Sequence, residues 1–456
     1  MTVSRTIAIS SVVALGLSLC GAQDAESQTS QRRQIGPAVF GGTGTRADRL
    51  GGLDLFAQLF VSYDDQVLAD QDGAPDRSRS ARATEGQGGV YSGLSAGLQY
   101  AHVGQSSNVN MEGNSALNYY PDLGDLTTSY HQASATFLQR FGGRYSIRVR
   151  PFAAYSPQYS MRLFLAPLPL DADSAGSLDG GVLAAPDVDS TIIQRASLRY
   201  GGNADFRMRV ARHSILQVGY NYTKTDLSRS PIGSFEARSI GANLSHALSE
   251  SASLTVGYAL EDSTYDGSSA PSTRIQKLNI GVNYRKPLSR SRRSYLRFTT
   301  GSTISEQVAG IGDVSEGRHI RAIGSATLVH QMGRTWNARA QYRREAGYLE
   351  GFAQPVFSDS ANAAVGGLIT RRLDFSLNAN YITGTSATRV DSGRFDSYSA
   401  SARLRRALHR SLAVYVEYLF YHYNLHEVTD RPLGLPQEFS RNGARVGLSL
   451  WLPLID

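Results

Sequence analysis

The chain has 456 residues, one cysteine and a formal charge of +7 at neutral pH. A single cysteine excludes a disulfide within the chain. After the N-terminal region, no stretch approaches the roughly 18 consecutive apolar residues that a membrane helix requires. The basic residues are spread along the chain instead of being clustered, which argues against a nucleic-acid partner.

Residues 1–22 have the three regions of a secretory signal peptide: a positive charge, an apolar stretch and a small-residue end. Cleavage is expected after Ala22 and would remove Cys20. Acylation of Cys20 is the alternative, although the preceding Leu-Ser-Leu places a bulky residue where a small one is usual. Residues 23–50 are polar and glycine-rich, which predicts a flexible periplasmic segment.

The clearest conformational pattern lies between Arg195 and Val210, where polar and apolar residues alternate. The odd positions are mostly polar or charged, as at Arg199, and the even positions are mostly apolar, as at Leu198. A period of two is the geometry of an extended strand with two different faces. The same alternation recurs along the chain, so it predicts a transmembrane β-barrel with lipid outside and a charged lumen.

Turn motifs and longer polar stretches divide residues 51–456 into such segments. The predicted fold is all-β: a transmembrane, antiparallel, up-and-down β-barrel in lipid of the cell outer membrane, with short turns in the periplasm and longer loops outside. Both chain ends in the periplasm require an even number of strands, and sixteen is the alternative because 106–120 alternates poorly. Eighteen strands are expected, near 52–66, 88–103, 106–120, 127–141, 145–164, 190–210, 214–226, 234–248, 252–265, 272–287, 294–306, 318–331, 335–349, 358–371, 373–387, 393–407, 411–424 and 438–454.

The longest predicted external loop covers residues 165–190. It begins with an apolar, proline-containing run and continues with aspartate, serine and glycine. Such a start would suit a loop that folds inward as a constriction, and an exposed loop is the alternative. An eighteen-stranded barrel encloses more space than its own side chains fill, which predicts a channel or a loop-plugged cavity.

Charged residues fix the face of each predicted strand, because Arg or Lys on the lipid face near the midplane costs about 2–4 kcal/mol. The predicted inward acidic residues are Asp54, Asp205, Glu261, Glu345, Asp374 and Glu417. The predicted inward basic residues of an anion path are Arg148, Arg150, Arg195, Arg199, Arg207, Arg209, Lys277, Arg285, Arg339, Arg343, Arg403, Arg405 and Arg445, and Arg140, Arg297 and Arg321 are also assigned inward.

This excess of basic residues predicts a basic lumen, and rings of basic side chains favour anions. Arginine in particular pairs well with carboxylates and phosphates. The alternative is structural: many of these arginines are near short turns, where they would contact lipid headgroups or pair with neighbouring acids.

No catalytic or metal-binding pattern stands out in the sequence. His422 and His426 are four residues apart, but in a strand-to-loop segment this spacing does not place them on one helical face. Asp64-Asp65 and residues 70–73 resemble fragments of a calcium loop without its later ligands, and they are expected to be solvated. The sequence therefore predicts no enzyme activity, metal or cofactor.

Residues 61–67, Val-Ser-Tyr-Asp-Asp-Gln-Val, resemble a Tyr-Asp-Asp-Asn-Val segment of β-barrel porins associated with exopolysaccharide export, with Gln66 in place of the asparagine. Residues 93–100 and 119–121 also resemble early strands of that group. The likeness covers about residues 50–160.

This resemblance implies an outer-membrane channel that passes a secreted polysaccharide and works with periplasmic export components, and the predicted basic lumen would suit an anionic polymer. A general diffusion porin for small anions is one alternative. A structural or adhesive barrel whose loops contact a partner is another.

Overall fold

The computed structural model describes residues 40, 51–66, 88–123, 126–157, 196–227, 234–265, 273–287, 293–307, 319–333, 335–347, 356–386, 393–425 and 437–455. The predicted signal peptide, nearly all of the predicted periplasmic segment and the predicted constriction loop lie outside these ranges. Within the described ranges, no helix is long and apolar enough to cross a membrane.

The described residues form one closed, antiparallel sheet of eighteen strands. Each strand pairs with the next along the chain, and β18 pairs back to β1, which closes the barrel. A single 3₁₀ turn, Pro121–Leu123, follows the third strand. The strands are β1 Gly51–Asp64, β2 Gly89–Val103, β3 Ser107–Tyr120, β4 Leu126–Phe141, β5 Tyr145–Ser156, β6 Ser197–Ala211, β7 Ser214–Leu227, β8 Phe235–Ala247, β9 Ala252–Tyr265, β10 Thr273–Pro287, β11 Ser294–Gln307, β12 His319–Met332, β13 Trp336–Gly347, β14 Val356–Thr370, β15 Leu373–Ser386, β16 Phe395–His409, β17 Leu412–Asn424 and β18 Glu438–Ile455.

The prediction of eighteen strands is confirmed, and the sixteen-strand alternative is wrong. The doubtful segment 106–120 forms β3 and pairs along its length with β2 and β4. Its alternation is weak in the sequence because Gly113 and Ser115 interrupt an outward face that is otherwise apolar, as at Met111 and Leu117. Backbone pairing to two neighbours forms the strand regardless of those two residues.

Side-chain faces follow from the register, because directly paired residues in an antiparallel ladder lie on the same face. Val61, Val446 and Val416 pair across β1, β18 and β17 and are each more than half exposed. On the opposite face, their chain neighbours Arg445 and Glu417 are buried. The molecule is therefore apolar outside and polar inside, the reverse of a soluble fold.

A closed barrel with an apolar exterior leaves no unpaired strand edge, so its backbone can cross a bilayer. This is the architecture of bacterial outer-membrane proteins, and the protein is placed in the cell outer membrane. Short turns follow the even-numbered strands, and the periplasmic end is the one with short turns. The turn after β4 contains Gly142 and Gly143, whose φ angles of 50° and 65° favour glycine.

Candidate functional site: the inner wall of the barrel

Strands β5 and β6 carry five inward arginines, which we call the arginine ladder: Arg148, Arg150, Arg199, Arg207 and Arg209. Alternation places them inside, because Tyr155 and Leu198 pair on the opposite face and are both exposed. In the backbone register of the two strands, Arg148 lies opposite Asp205 and Arg150 lies opposite Asn203. From Arg199 to Arg209 the ladder follows about 33 Å of strand, which at the usual tilt is about the height of the apolar band.

The surroundings of the ladder contain little negative charge. Asp205 is the only acidic residue on the inner faces of β4 to β7 within the described ranges, and its Oδ1 accepts a 3.5 Å hydrogen bond from Gln217. Arg148, Arg207 and Arg209 form no ion pair with any described residue. Arg207 and Arg209 are exposed.

Arg199 occupies the external half of the ladder and has a different environment. Its guanidinium carbon lies 5.5 Å from the centre of the Phe152 ring, an inward residue of β5. A cation held over an aromatic face at this distance is stabilised by the ring's electrons without losing its charge. The ladder therefore combines cationic groups with one aromatic platform.

A second group of inward charges lies where the barrel closes, and we call it the paired-charge sector: Asp64, Arg403, Glu417, Arg441 and Arg445 on β1, β16, β17 and β18. Glu417 accepts two hydrogen bonds from Arg403, at 2.9 and 3.0 Å. Arg445 Nη1 lies 3.7 Å from Oε2 of the same carboxylate. Glu417 and Arg445 are both about 95% buried, with exposed fractions of 5% and 4%.

Aromatic side chains surround this sector. The guanidinium of Arg445 lies 4.1 Å from the centre of the Phe60 ring and donates a 3.1 Å hydrogen bond to the Tyr91 hydroxyl. Tyr91 in turn stacks on Tyr120, with ring centres 4.5 Å apart. Arg403 lies over the ring of Tyr415. Buried charges with this many partners hold neighbouring strands in register.

Asp64 and Arg441 join β1 to β18 directly. Their side chains form an ion pair, and each is only 1% exposed. The next residue, Asp65, accepts hydrogen bonds from the backbone N–H of Asn442 at 2.6 Å and from its side-chain amide at 2.7 Å. The expectation that Asp64-Asp65 is a solvated loop fragment is therefore wrong, because both carboxylates bind the last strand.

Three other inward basic residues also pair with acids. Lys277 lies 2.6 Å from Glu261, Arg405 lies 3.0 Å from Asp374 and Arg343 lies 3.6 Å from Glu345. Arg339 is buried on the inner face of β13. The register also places Arg140, Arg297 and Arg321 on inner faces.

For two of the predicted basic residues, the structure does not describe a side chain in the lumen. Arg195 lies outside the described residues. Arg285 occupies an inner-face position of β10, opposite Arg297, but its side chain lies outside the described part of the structure.

Sequence reasoning missed Arg441, Asp64 and Glu112 among the inward charges. The alternation of the strands contained the signal. Arg441 is an even number of residues from the inward Arg445, and Asp64 is an even number of residues from the inward Asp54, so each falls on the inner face. Both lie near strand ends, where turn residues and strand residues look alike in sequence. Among the described residues, no group of three His, Cys, Asp or Glu side chains could hold a metal ion.

Comparisons with known proteins give a likeness in fold. No protein-family model matches the chain, and no curated protein matches it. Among solved structures, Pseudomonas aeruginosa OccK11 (OpdR) is 12% identical with a TM-score of 0.41, covering 92% of this chain and 98% of that one. P. aeruginosa OccK2 (OpdF), in complex with glucuronate, is 12% identical with a TM-score of 0.43, covering 89% and 98%.

Acinetobacter baumannii OccAB3 is also 12% identical, with a TM-score of 0.41 and coverage of 89% and 99%. At this level of similarity, substrates and mechanisms do not transfer from one protein to another. None of the comparisons links the chain to exopolysaccharide export.

Proposed function

We propose that this protein is an outer-membrane channel that passes anionic solutes in preference to cations. The observation that carries the proposal is the arginine ladder on β5 and β6, which follows the strand through most of the membrane thickness. Inward cations favour anions when carboxylates do not neutralise them. On β4 to β7, six inward arginines accompany one aspartate among the described residues.

Three residues of the ladder, Arg148, Arg207 and Arg209, form no ion pair with a described residue and differ in this respect from a second set of inward basic residues. Arg403, Arg405, Arg445, Lys277 and Arg343 each lie within ion-pair distance of a carboxylate. Those pairs contribute little net field to the lumen, whereas Arg207 and Arg209 are exposed. Anion preference is therefore assigned to one side of the wall, and structural pairing to the other.

Solutes carrying carboxylate or phosphate groups suit the ladder best, because the planar guanidinium donates two parallel hydrogen bonds to either group. Successive arginines along a strand would give such a solute several binding positions, each weak enough to leave. An acidic polysaccharide presents carboxylates at repeated intervals and is the polymeric form of this substrate class. A small sugar acid is the monomeric form.

Conductance measurements in planar bilayers test the proposal. The purified barrel should conduct, and a salt gradient should give a reversal potential of the sign for anion flow. Added glucuronate should reduce chloride current through competition, and a longer acidic oligosaccharide should produce resolved blocking events if polymer enters the lumen. An absence of any conductance would contradict the channel, and a cation-selective current would contradict the role of the ladder.

A further inference from the structure

A residue from before the first strand contacts the inner wall of the barrel. Phe40 is the one described residue that precedes β1, and the centre of its ring lies 4.6 Å from the guanidinium carbon of Arg405. Arg405 is an inward residue of β16, four residues before the strand ends at His409. That is about 13 Å along the strand, so the contact lies inside the periplasmic mouth and not at its rim.

Arg405 uses the edge and the face of its guanidinium for different partners. Along the edge, Nε donates a 3.0 Å hydrogen bond to the carboxylate of Asp374 on β15. The face lies over the ring of Phe40. A cation held over an aromatic face is attracted by the electrons of the ring, so Phe40 is bound to the wall by more than apolar contact.

Two neighbouring arginines show the same arrangement with rings of the barrel itself. The guanidinium of Arg403 lies 5.0 Å from the centre of the Tyr415 ring, and that of Arg445 lies 4.1 Å from the centre of the Phe60 ring. Each of those rings belongs to an adjacent strand. For the third arginine the ring is supplied by Phe40, from outside the strands.

Toward the periplasm from this contact, the inner wall consists of small side chains that are deeply buried. Ala407, Ala413 and Ser449 lie side by side on β16, β17 and β18, and their exposed fractions are 3%, 0% and 4%. Tyr415 and Trp451 border this row and are buried as well. We call these five residues the covered wall. Small side chains facing an open lumen would contact water, so this burial indicates that further atoms lie over them.

The far side of the eighteen-strand ring is open at a similar level. Arg207 on β6 lies opposite Gln217 on β7, toward the periplasmic ends of both strands, and both side chains are exposed. Asn221, further along the inner face of β7, is also exposed. In its periplasmic half the lumen is therefore covered on one side and open on the side of the arginine ladder.

The chain before β1 has the length and the composition to cover this wall. Phe40 is eleven residues before Gly51, where β1 begins, and eleven residues span up to about 36 Å. β16 and β1 are separated by three strand spacings, about 14 Å. Residues 38–40, Ala-Val-Phe, form a short apolar run in an otherwise polar, glycine-rich segment.

We propose that the segment before β1 docks on the covered wall from inside the barrel, with Phe40 on Arg405 as its anchor. Its apolar run matches the small side chains of the wall, and the stacking of the ring on the guanidinium fixes its position. Combined with the proposed function, the docked segment confines the aqueous path to the side of the lumen that carries the arginine ladder.

The accessibility of single thiols tests this docking in the full-length barrel. Cys20 is the one cysteine of the chain, so a Cys20→Ser background gives each added cysteine a unique label site. Ser449→Cys places a thiol in the covered wall, opposite the second residue of β17. Ser146→Cys is the matched control, at the second residue of β5 on the ladder side. A water-soluble maleimide should label Ser449→Cys more slowly than Ser146→Cys.

Phe40→Ala should accelerate labelling of Ser449→Cys roughly two- to thirtyfold, the range that a cation–π contact contributes. It should leave Ser146→Cys unchanged, and Phe40→Trp, which keeps an aromatic face, should retain slow labelling of Ser449→Cys. Ala407→Cys lies in the same row and replaces Ser449→Cys if that variant does not fold.

Equal labelling of Ser449→Cys and Ser146→Cys with Phe40 in place would overturn the proposal. Slow labelling of Ser449→Cys that Phe40→Ala does not change would also overturn it, because side chains of the wall would then be the cover. The labelling rates do not depend on which ions pass. A failure of the proposed anion path, seen as a wrong reversal potential, is therefore distinguishable from a failure of the docking.

Discussion

The arginine ladder and the paired-charge sector occupy the same kind of position, the inner face of a membrane strand, and they are built from the same residue. They differ in burial and in partners. Arg445 is 4% exposed and contacts Glu417, Phe60 and Tyr91, whereas Arg207 is exposed and has no carboxylate partner among the described residues. An inward arginine is therefore not evidence of a transport role until its partners are known.

The paired-charge sector also explains how the barrel holds its closure. Backbone hydrogen bonds join β1 to β18 over nearly the whole length of β1, but backbone pairing alone tolerates a slip in register. The ion pair between Asp64 and Arg441 and the hydrogen bonds between Asp65 and Asn442 are specific to one register. A slip by one residue would turn each of these side chains to the opposite face.

The largest effect is expected at Glu417. Replacing Glu417 with Gln leaves Arg403 and Arg445 without their shared carboxylate, and breaking a buried ion pair costs about 3–5 kcal/mol. The free energy of unfolding, measured by denaturant titration in lipid vesicles, should fall by that amount. Glu345→Gln removes a half-exposed partner of Arg343 and should cost no more than about 1 kcal/mol. Equal losses in the two variants would mean that burial does not set the strength of these inward ion pairs.

The next effect concerns the outer face of the ladder strand. Leu198→Arg places a charge on the lipid face near its external edge and should destabilise the barrel by up to about 1 kcal/mol. Ser197→Arg, one residue away, adds the same group to the lumen and should assemble normally. Folding yield into vesicles, followed by gel mobility before and after heating, measures both. Impaired assembly of Ser197→Arg alone would reverse the assignment of faces.

The smallest effect is expected within the ladder itself. Arg207→Gln removes an exposed side chain that has no ion pair among the described residues, so the free energy of unfolding should change by less than about 0.5 kcal/mol. Anion selectivity should nevertheless decrease, since one cation leaves the lumen. A large loss of stability would mean that the ladder is structural, like the paired-charge sector.

Much of the fold follows from residue alternation. Leu198 and Ser197 fall on opposite faces because successive residues of a strand alternate, and the same rule places Arg445 and Glu417 inside. The rule works because one arginine in lipid costs more than any local propensity contributes. Strand ends were less predictable: the segment predicted as 393–407 is the strand Phe395–His409.

Pairing between strands could not be read from the sequence. Asp64 and Arg441 are 377 residues apart, and no local pattern encodes which acid meets which base. Only the register brings Asp64 and Arg441 side by side. The register likewise decides which inward arginines are neutralised by a carboxylate and which are exposed.

The central claim is that the arginine ladder determines which ions the channel passes. Its most direct test is the reversal potential in a salt gradient for wild type and for a variant with Arg199, Arg207 and Arg209 all replaced by Glu. The account predicts an anion-selective wild type and a cation-selective variant, with Arg238→Glu on the outer face as a control that leaves selectivity unchanged. An unchanged ratio of anion to cation permeability in the triple variant would contradict it.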